Sequence, residues 1–214
     1  MTLKELDVLH EYIDSSTHYL EFGSGESTIY ASKSTKLKTI DSVESSINYI
    51  NENLIYNPTI ASALSSNKLC FHIVDIGETV TWGYPKDKTK KHLWPNYALS
   101  VFSQSKNYDL VLVDGRFRVA CVLNYLLNTP KSSTLIIHDF WNRSEYHNLL
   151  KYLHLKKRVD SLGVFGKAEN INTSKIQSLI KKYQYLPNDK TLIFRLKSKL
   201  KKSFIKSRQQ TVVF

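Results

Sequence analysis

Tyr19-Leu20-Glu21-Phe22-Gly23-Ser24-Gly25-Glu26-Ser27-Thr28 is the stretch on which the reading of the fold turns. A short apolar run carrying one acid, Glu21, gives way to glycines at alternate positions and then to small hydroxyl residues. That order predicts a buried strand, a tight turn without side chains, and a helix start. Such a turn lets a ligand lie against backbone, near the N–H groups left unpaired at a helix N-terminus. Glu21 adds a carboxylate suited to a ligand with hydroxyls or positive charge.

Outward from this turn, strands and helices alternate. Residues 3–14 have helical apolar spacing, and the helix after the glycines is predicted to reach about Ser34. Leu37–Val43 reads as a second strand closed by Glu44, and 45–55 as a helix capped by Ser45 or Ser46. Leu69–Ile76, Tyr108–Asp114 and Thr134–Ile137 read as strands, and Phe117–Leu127 as a helix. The unbroken apolar run before Asp114 suits a parallel strand buried on both faces. A helix over 145–157, strands at Ser161–Phe165 and Thr191–Leu196, and a helix near 174–184 complete the expectation. The fold class implied is α/β: a Rossmann-like open twisted sheet of about seven mostly parallel strands with helices on both faces. One domain is expected over 1–196, followed by a basic tail over 197–214.

In open α/β sheets, ligands bind beyond the carboxyl ends of the strands. Five predicted strands end at or beside an acid: Glu21, Glu44, Asp75, Asp114 and Asp139. Unpaired carboxylates are costly to bury, so these residues are expected at a binding mouth rather than in the core. Gly23-Ser-Gly25 matches half of a dinucleotide-binding fingerprint, with Thr28 where a third glycine would stand. Glu44 follows Gly25 by 19 residues, the place for a carboxylate that accepts hydrogen bonds from ribose hydroxyls. A nucleoside-bearing ligand is favoured, and no Gly-Lys-Ser/Thr phosphate loop is present. The irregular stretch from Gly77 to Lys91, with Trp82, Tyr84 and four lysines, has the length and composition of a binding loop.

Composition narrows the classes further. The chain has 214 residues, 42% hydrophobic and 12% aromatic, which fits a folded domain with a proper core. Cys70 and Cys121 lack metal-ligand spacing and read as buried, reduced thiols. No apolar run spans a bilayer and no export signal is visible, so a cytoplasmic location is expected. Six of the net eleven positive charges lie between Lys197 and Arg208, where there is no acid. Such a tail suits peripheral contact with an anionic membrane surface.

Glu-x-Gly-x-Gly-x-Ser after strand one, with an acid closing strand two, resembles the class I S-adenosylmethionine-dependent methyltransferases over about residues 17–196. By that resemblance Glu21, Gly23, Ser24, Gly25 and Ser27 would follow the methionine part of the donor. Glu44 would hold its ribose, and Asp75 with Ile76 would border its adenine. The pocket aromatic common in that superfamily has no evident counterpart in the sequence.

A second constellation, Val113-Asp114-Gly115-Arg116 with Ile137-His138-Asp139-Phe140, is similar to motifs of metal-assisted O-methyltransferases that act on sugars and small polyols. The resemblance implies Mg²⁺ held by Asp114 and Asp139, polarising an acceptor hydroxyl. Without metal, Asp114, His138 or Asp139 would act as general base. Arg116, Arg118 and Arg143, with Trp141 and His147, would contact an acidic or glycan acceptor, Arg116 foremost because it directly follows the Asp-Gly turn. The expected activity is O-methylation of a small molecule or a saccharide of a surface polysaccharide. The alternative is a Rossmann-like module, non-catalytic or differently catalytic, that binds a nucleotide or nucleotide-sugar. Nucleic acid is not an expected partner, since the Asn/Asp-Pro-Pro-Tyr motif for a flipped base is missing.

Overall fold

A computed structural model describes residues 1–104 and 106–189. The predicted strand at Thr191–Leu196 and the basic tail over 197–214 lie outside the described residues. In chain order the helices are α1 (Leu3–Ser15), α2 (Glu26–Lys33), α3 (Ile47–Asn53), α4 (Pro58–Ser65), α5 (Pro95–Leu99), α6 (Arg118–Asn128) and α7 (Thr173–Tyr183). The strands are β1 (His18–Phe22), β2 (Thr39–Glu44), β3 (Leu69–Ile73), β4 (Thr79–Val80), β5 (Tyr84–Pro85), β6 (Leu110–Val113), β7 (Thr134–Ile137), β8 (Leu153–Val159) and β9 (Leu162–Lys167).

Seven strands form one sheet in the order β3-β2-β1-β6-β7-β9-β8. The first five are mutually parallel, and β9 runs antiparallel to both neighbours. Strands β4 and β5 form a separate two-stranded hairpin. The period-two alternation of β6 divides the core between the two faces of the sheet. Leu110 and Leu112 join Leu9, Ile13, Ala31 and Ile60 under α1, α2 and α4. Val111 and Val113 join Tyr97, Val122, Leu126 and Ile176 under α5, α6 and α7.

Register aligns the carboxyl ends of the central strands. Phe22 is level with Val43 and Val113, and Val113 is level with Ile137. Glycine 23, Glu44, Asp114 and His138 therefore emerge in a row on neighbouring strands, which in sheets lie ~4.8 Å apart. Chain order reverses direction between β1 and β6, and a crevice opens at such a point.

The helix expected over 145–157 is corrected. Residues Ser144–Lys151 form 3₁₀ turns, and Leu153–Val159 is strand β8, paired with β9. Lysines and an arginine line that edge, which hinders pairing with another chain. Their helical propensity yields to the ladder with β9, which follows after a two-residue turn. The cysteines are also corrected in part: Cys121 is buried, but Cys70 is exposed because β3 is the sheet's other edge. Helix α4, begun by Pro58 behind the Asn57 cap, had no counterpart in the sequence reading. Among the described residues, no helix is long and apolar enough to cross a membrane.

Candidate active site

The glycine turn after β1 is tight for a reason visible at the end of the adjacent strand, β6. A Cβ on Gly23 would meet the Gly115 backbone at 2.8 Å, and Gly23 has φ +96°. A Cβ on Gly115 would in turn meet the Tyr97 hydroxyl at 2.1 Å. Loops β1–α2 and β6–α6 thus touch backbone to backbone, which only glycine at both positions permits.

Glu21 supports this turn from beneath. It is fully buried and accepts hydrogen bonds from the hydroxyls of Tyr19 (3.0 Å), Ser27 (2.7 Å), Ser42 (2.7 Å) and Thr28. Thr28 Oγ1 also accepts the Gly25 N–H at 2.9 Å, so a hydroxyl relay ties the loop to β1. Burial raises the Glu21 carboxyl above its usual range, and the hydroxyls offset part of that rise. The expectation that strand-end acids avoid the core does not hold for Glu21, because four hydroxyl donors replace water around it. Its side chain lies under the loop and does not line the cleft, whereas Gly23 and Ser24 do.

Above the loop lies a cleft of about 930 Å³. On one side Glu44 reaches it while accepting the Ser45 and Ser46 N–H groups at 2.7 and 3.1 Å and the Ser24 N–H at 3.3 Å. Tyr49 and the hairpin residues Trp82 and Tyr84 face the same space. These are the cleft aromatics that the sequence left unassigned. Trp82 is 82% exposed and holds a left-handed backbone, φ 65°. Asp75 and Ile76 are placed elsewhere. Asp75 is exposed and paired with Lys90, and Ile76 is buried with its carbonyl accepting the Trp94 indole N–H at 2.9 Å. Gly25 and Ser27 also fall outside the cleft lining.

On the other side Asp114, Arg116, Arg118, His138, Asp139 and Arg143 come together. His138 Nδ1 lies 2.9 Å from Asp114 Oδ1, and its Nε2 lies 3.6 Å from Glu5 Oε2. Glu5, from α1, is nearly inaccessible and accepts both the Ser161 N–H and hydroxyl. Burial acts to raise its carboxyl, but these hydrogen bonds and the Thr2 N–H outweigh it and hold the group below the usual range. Thr2 and Glu5 form a capping box, a spacing that marks a helix start but gives no sign of a reach to His138.

Arg118, expected with Arg116 and Arg143 to contact an acceptor, is buried. Its guanidinium donates to the carbonyls of Gly115 (3.0 Å), His138 (2.6 Å) and Asp114 (2.6 Å), and to the Asp114 carboxylate (2.8 Å). It clamps two strand-end loops together. Arg143 donates to Asp139 at 2.8 Å. Burial acts to raise the Asp139 carboxyl, but Arg143, His138 and Arg118 hold it below the usual range. Trp141 and His147 pack around Phe140 and do not line the cleft.

The donor set does not fit Mg²⁺. Asp114 is committed to Arg118 and His138, and Asp139 to Arg143, so cations of the protein already occupy both carboxylates. Among the described residues, the one group of three or more possible metal ligands is Asp41, Cys70 and His72, on β2 and β3. There Asp41 is neutralised by Lys106 at 2.8 Å and His72 at 2.6 Å.

Neither the protein-family profiles nor the curated proteins contain a match to this chain. Solved structures do. A methyltransferase-like protein from Silicibacter pomeroyi aligns with a TM-score of 0.73 and 27% identity, covering 86% of this chain and 95% of its own. A candidate caffeoyl-CoA O-methyltransferase from Staphylococcus aureus aligns with a TM-score of 0.52 and 15% identity, covering 78% of this chain and 85% of its own, a likeness of fold. Sheet order, the glycine turn at the crevice and this structural kinship place the chain in the class I S-adenosylmethionine-dependent methyltransferase superfamily.

Proposed function

We propose that the protein transfers a methyl group from S-adenosylmethionine to an oxygen of a small molecule or saccharide, without a metal. The observation that carries this is the joining, in one cleft, of the Gly23–Ser24 turn and Glu44 with the Asp114–His138 pair. Gly23 and Ser24 line the cleft and offer a ligand the backbone of the turn, and Glu44 offers a carboxylate for ribose hydroxyls. The donor supplies an activated methyl group, and the protein's part is to orient the acceptor and remove its proton.

His138 Nδ1 faces Asp114, and its Nε2 lies 3.6 Å from Glu5 Oε2 and 3.7 Å from Asp139 Oδ1, so the ring sits among three carboxylates at the cleft. We assign the Asp114–His138 pair as the base that would take the proton of the acceptor hydroxyl as that oxygen receives the methyl group. Holding both reactants in one cleft supplies the remainder of the advantage. Titration calorimetry with S-adenosylhomocysteine, NAD and nucleotide-sugars tests the donor assignment. Binding of the first at micromolar concentrations, with indifference to the others, is expected. Silence toward it, with binding of a nucleotide-sugar, would return the alternative of a different nucleotide-binding module.

A further inference from the structure

Among the described residues, the charged side chains that line the cleft are ion-paired or hydrogen-bonded with one exception. Arg118 is committed to Asp114, Arg143 to Asp139, and His138 to Asp114. Glu44 is surrounded by N–H groups of its own turn. Arg116 also lines the cleft and is only 9% exposed, yet among the described residues its guanidinium has no hydrogen-bond acceptor and no carboxylate at ion-pair distance; the buried Asp189 carboxylate feels its charge only from farther off and is bonded to the Val119 N–H. It is held in place by apolar means: the cation lies 4.3 Å from the Tyr84 ring centroid, and its stem packs beside Gly83 of the same hairpin.

A guanidinium keeps its charge at any relevant pH, and enclosing it without a hydrogen-bonded anion is unfavourable. Its planar fork suits a carboxylate or phosphate, which it binds through two parallel hydrogen bonds. The position is equally specific. Arg116 follows Gly115, whose backbone abuts Gly23 of the donor loop, and precedes the turn that carries Arg118. It therefore stands where the donor half of the cleft meets the Asp114–His138 pair.

We infer that Arg116 is the anion receptor for the methyl acceptor, so that the substrate carries a carboxylate or phosphate near the hydroxyl that is methylated. This rests on the methyltransferase reading above. An anion anchored at Arg116 leaves a neighbouring hydroxyl free to meet His138, and Tyr84 keeps the guanidinium from folding away when the cleft is empty. The same chemistry exists in the amino-acid carboxylate of the donor, and the test separates the two sources.

The test titrates glucose, glucuronate and glucose 6-phosphate into protein saturated with S-adenosylhomocysteine, followed by ligand-observed NMR. The two anions are expected to bind at least tenfold more tightly than glucose. Arg116→Met should reduce that preference below threefold, Arg116→Lys should keep part of it, and affinity for S-adenosylhomocysteine should stay within twofold. Tyr84→Leu, which leaves the arginine but removes its stack, should lower the preference by about threefold, and it serves where an Arg116 variant does not fold. Equal binding of anionic and neutral sugars by the wild type overturns the inference. So does a tenfold loss of S-adenosylhomocysteine affinity in Arg116→Met with the sugar preference intact, since Arg116 would then serve the donor. If the wild type fails to bind S-adenosylhomocysteine, the methyltransferase reading falls. The sugar series on donor-free protein then still decides whether Arg116 receives anions.

Discussion

Asp114 Oδ1 and His138 Nδ1 lie 2.9 Å apart at the level ends of adjacent parallel strands, with Arg118 bonded to the same carboxylate oxygen. The aspartate therefore orients the ring while the arginine holds the aspartate in place. Replacing His138 by Ala is expected to slow methyl transfer by ~100-fold or more, as loss of a general base does, with donor affinity unchanged. Transfer of labelled methyl into a small-molecule extract, beside calorimetry with S-adenosylhomocysteine, measures both.

Glu44 is expected to matter for the donor alone. Loss of charge-assisted hydrogen bonds to a ribose costs about 1.5–3 kcal/mol, a ~10–100-fold weaker Kd. Glu44→Ala should show that loss in calorimetry while circular dichroism stays native. An unchanged Kd would remove the ribose assignment.

Thr28 links Gly25 N–H to the buried Glu21 carboxylate. Thr28→Val keeps the shape but leaves both groups short of a partner, so urea unfolding should show a loss of ~1–3 kcal/mol. Thr28→Ser retains the hydroxyl and should lose less than about half of that.

Arg118 is predicted to be structural. Arg118→Ala leaves three carbonyls and a part-exposed carboxylate without this donor, and losing hydrogen bonds of this kind costs on the order of 2–5 kcal/mol together. Thermal unfolding should fall accordingly. A variant as stable as the wild type would argue against the clamp.

Asp189 is buried, accepts the Val119 N–H at 3.0 Å, and is pushed by desolvation up to about 6. Its folded value exceeds its unfolded one, so the folded state holds the proton more tightly and this group's contribution falls as pH rises from about 4 to about 6. Ionising it in place costs ~3 kcal/mol by linkage. Asp189→Asn should therefore gain stability relative to wild type between pH 4 and 7, by up to that amount, and the gap should level off above. A gap that is constant with pH, read from urea unfolding, would contradict this.

Several elements were legible because they depend on local pattern. The unbroken apolar run before Asp114 announced a doubly buried strand, and β6 is inaccessible along its whole length. Residues 153–159 were not legible as a strand, because their basic composition also suits a helix and only pairing with β9 decides between them. Glu5 was invisible as a site residue, and Arg118 was named for an acceptor rather than for its carbonyl partners, for a related reason. Each acts on partners that lie on other elements, the His138 carbonyl for Arg118 and Ser161 for Glu5. Glu21 was noticed as an acid, but the ring of hydroxyls that lets it sink is drawn from positions 19, 27, 28 and 42.

What the amino-acid order determined by itself was the alternation of strand and helix, the glycine turn, and the recurrence of acids at strand ends, since periodicity and backbone freedom are properties of neighbours along the chain. Which acids face a ligand was decided only by tertiary structure. Register brought Glu44 and Asp114 to the cleft, buried Glu21 beneath it, and left Asp75 outside, because access depends on how far each strand runs and on what its neighbours place above it. The lone charge of Arg116 is of the same kind: thirty basic residues look alike in sequence, and only the folded chain shows which of them lacks a partner in the cleft.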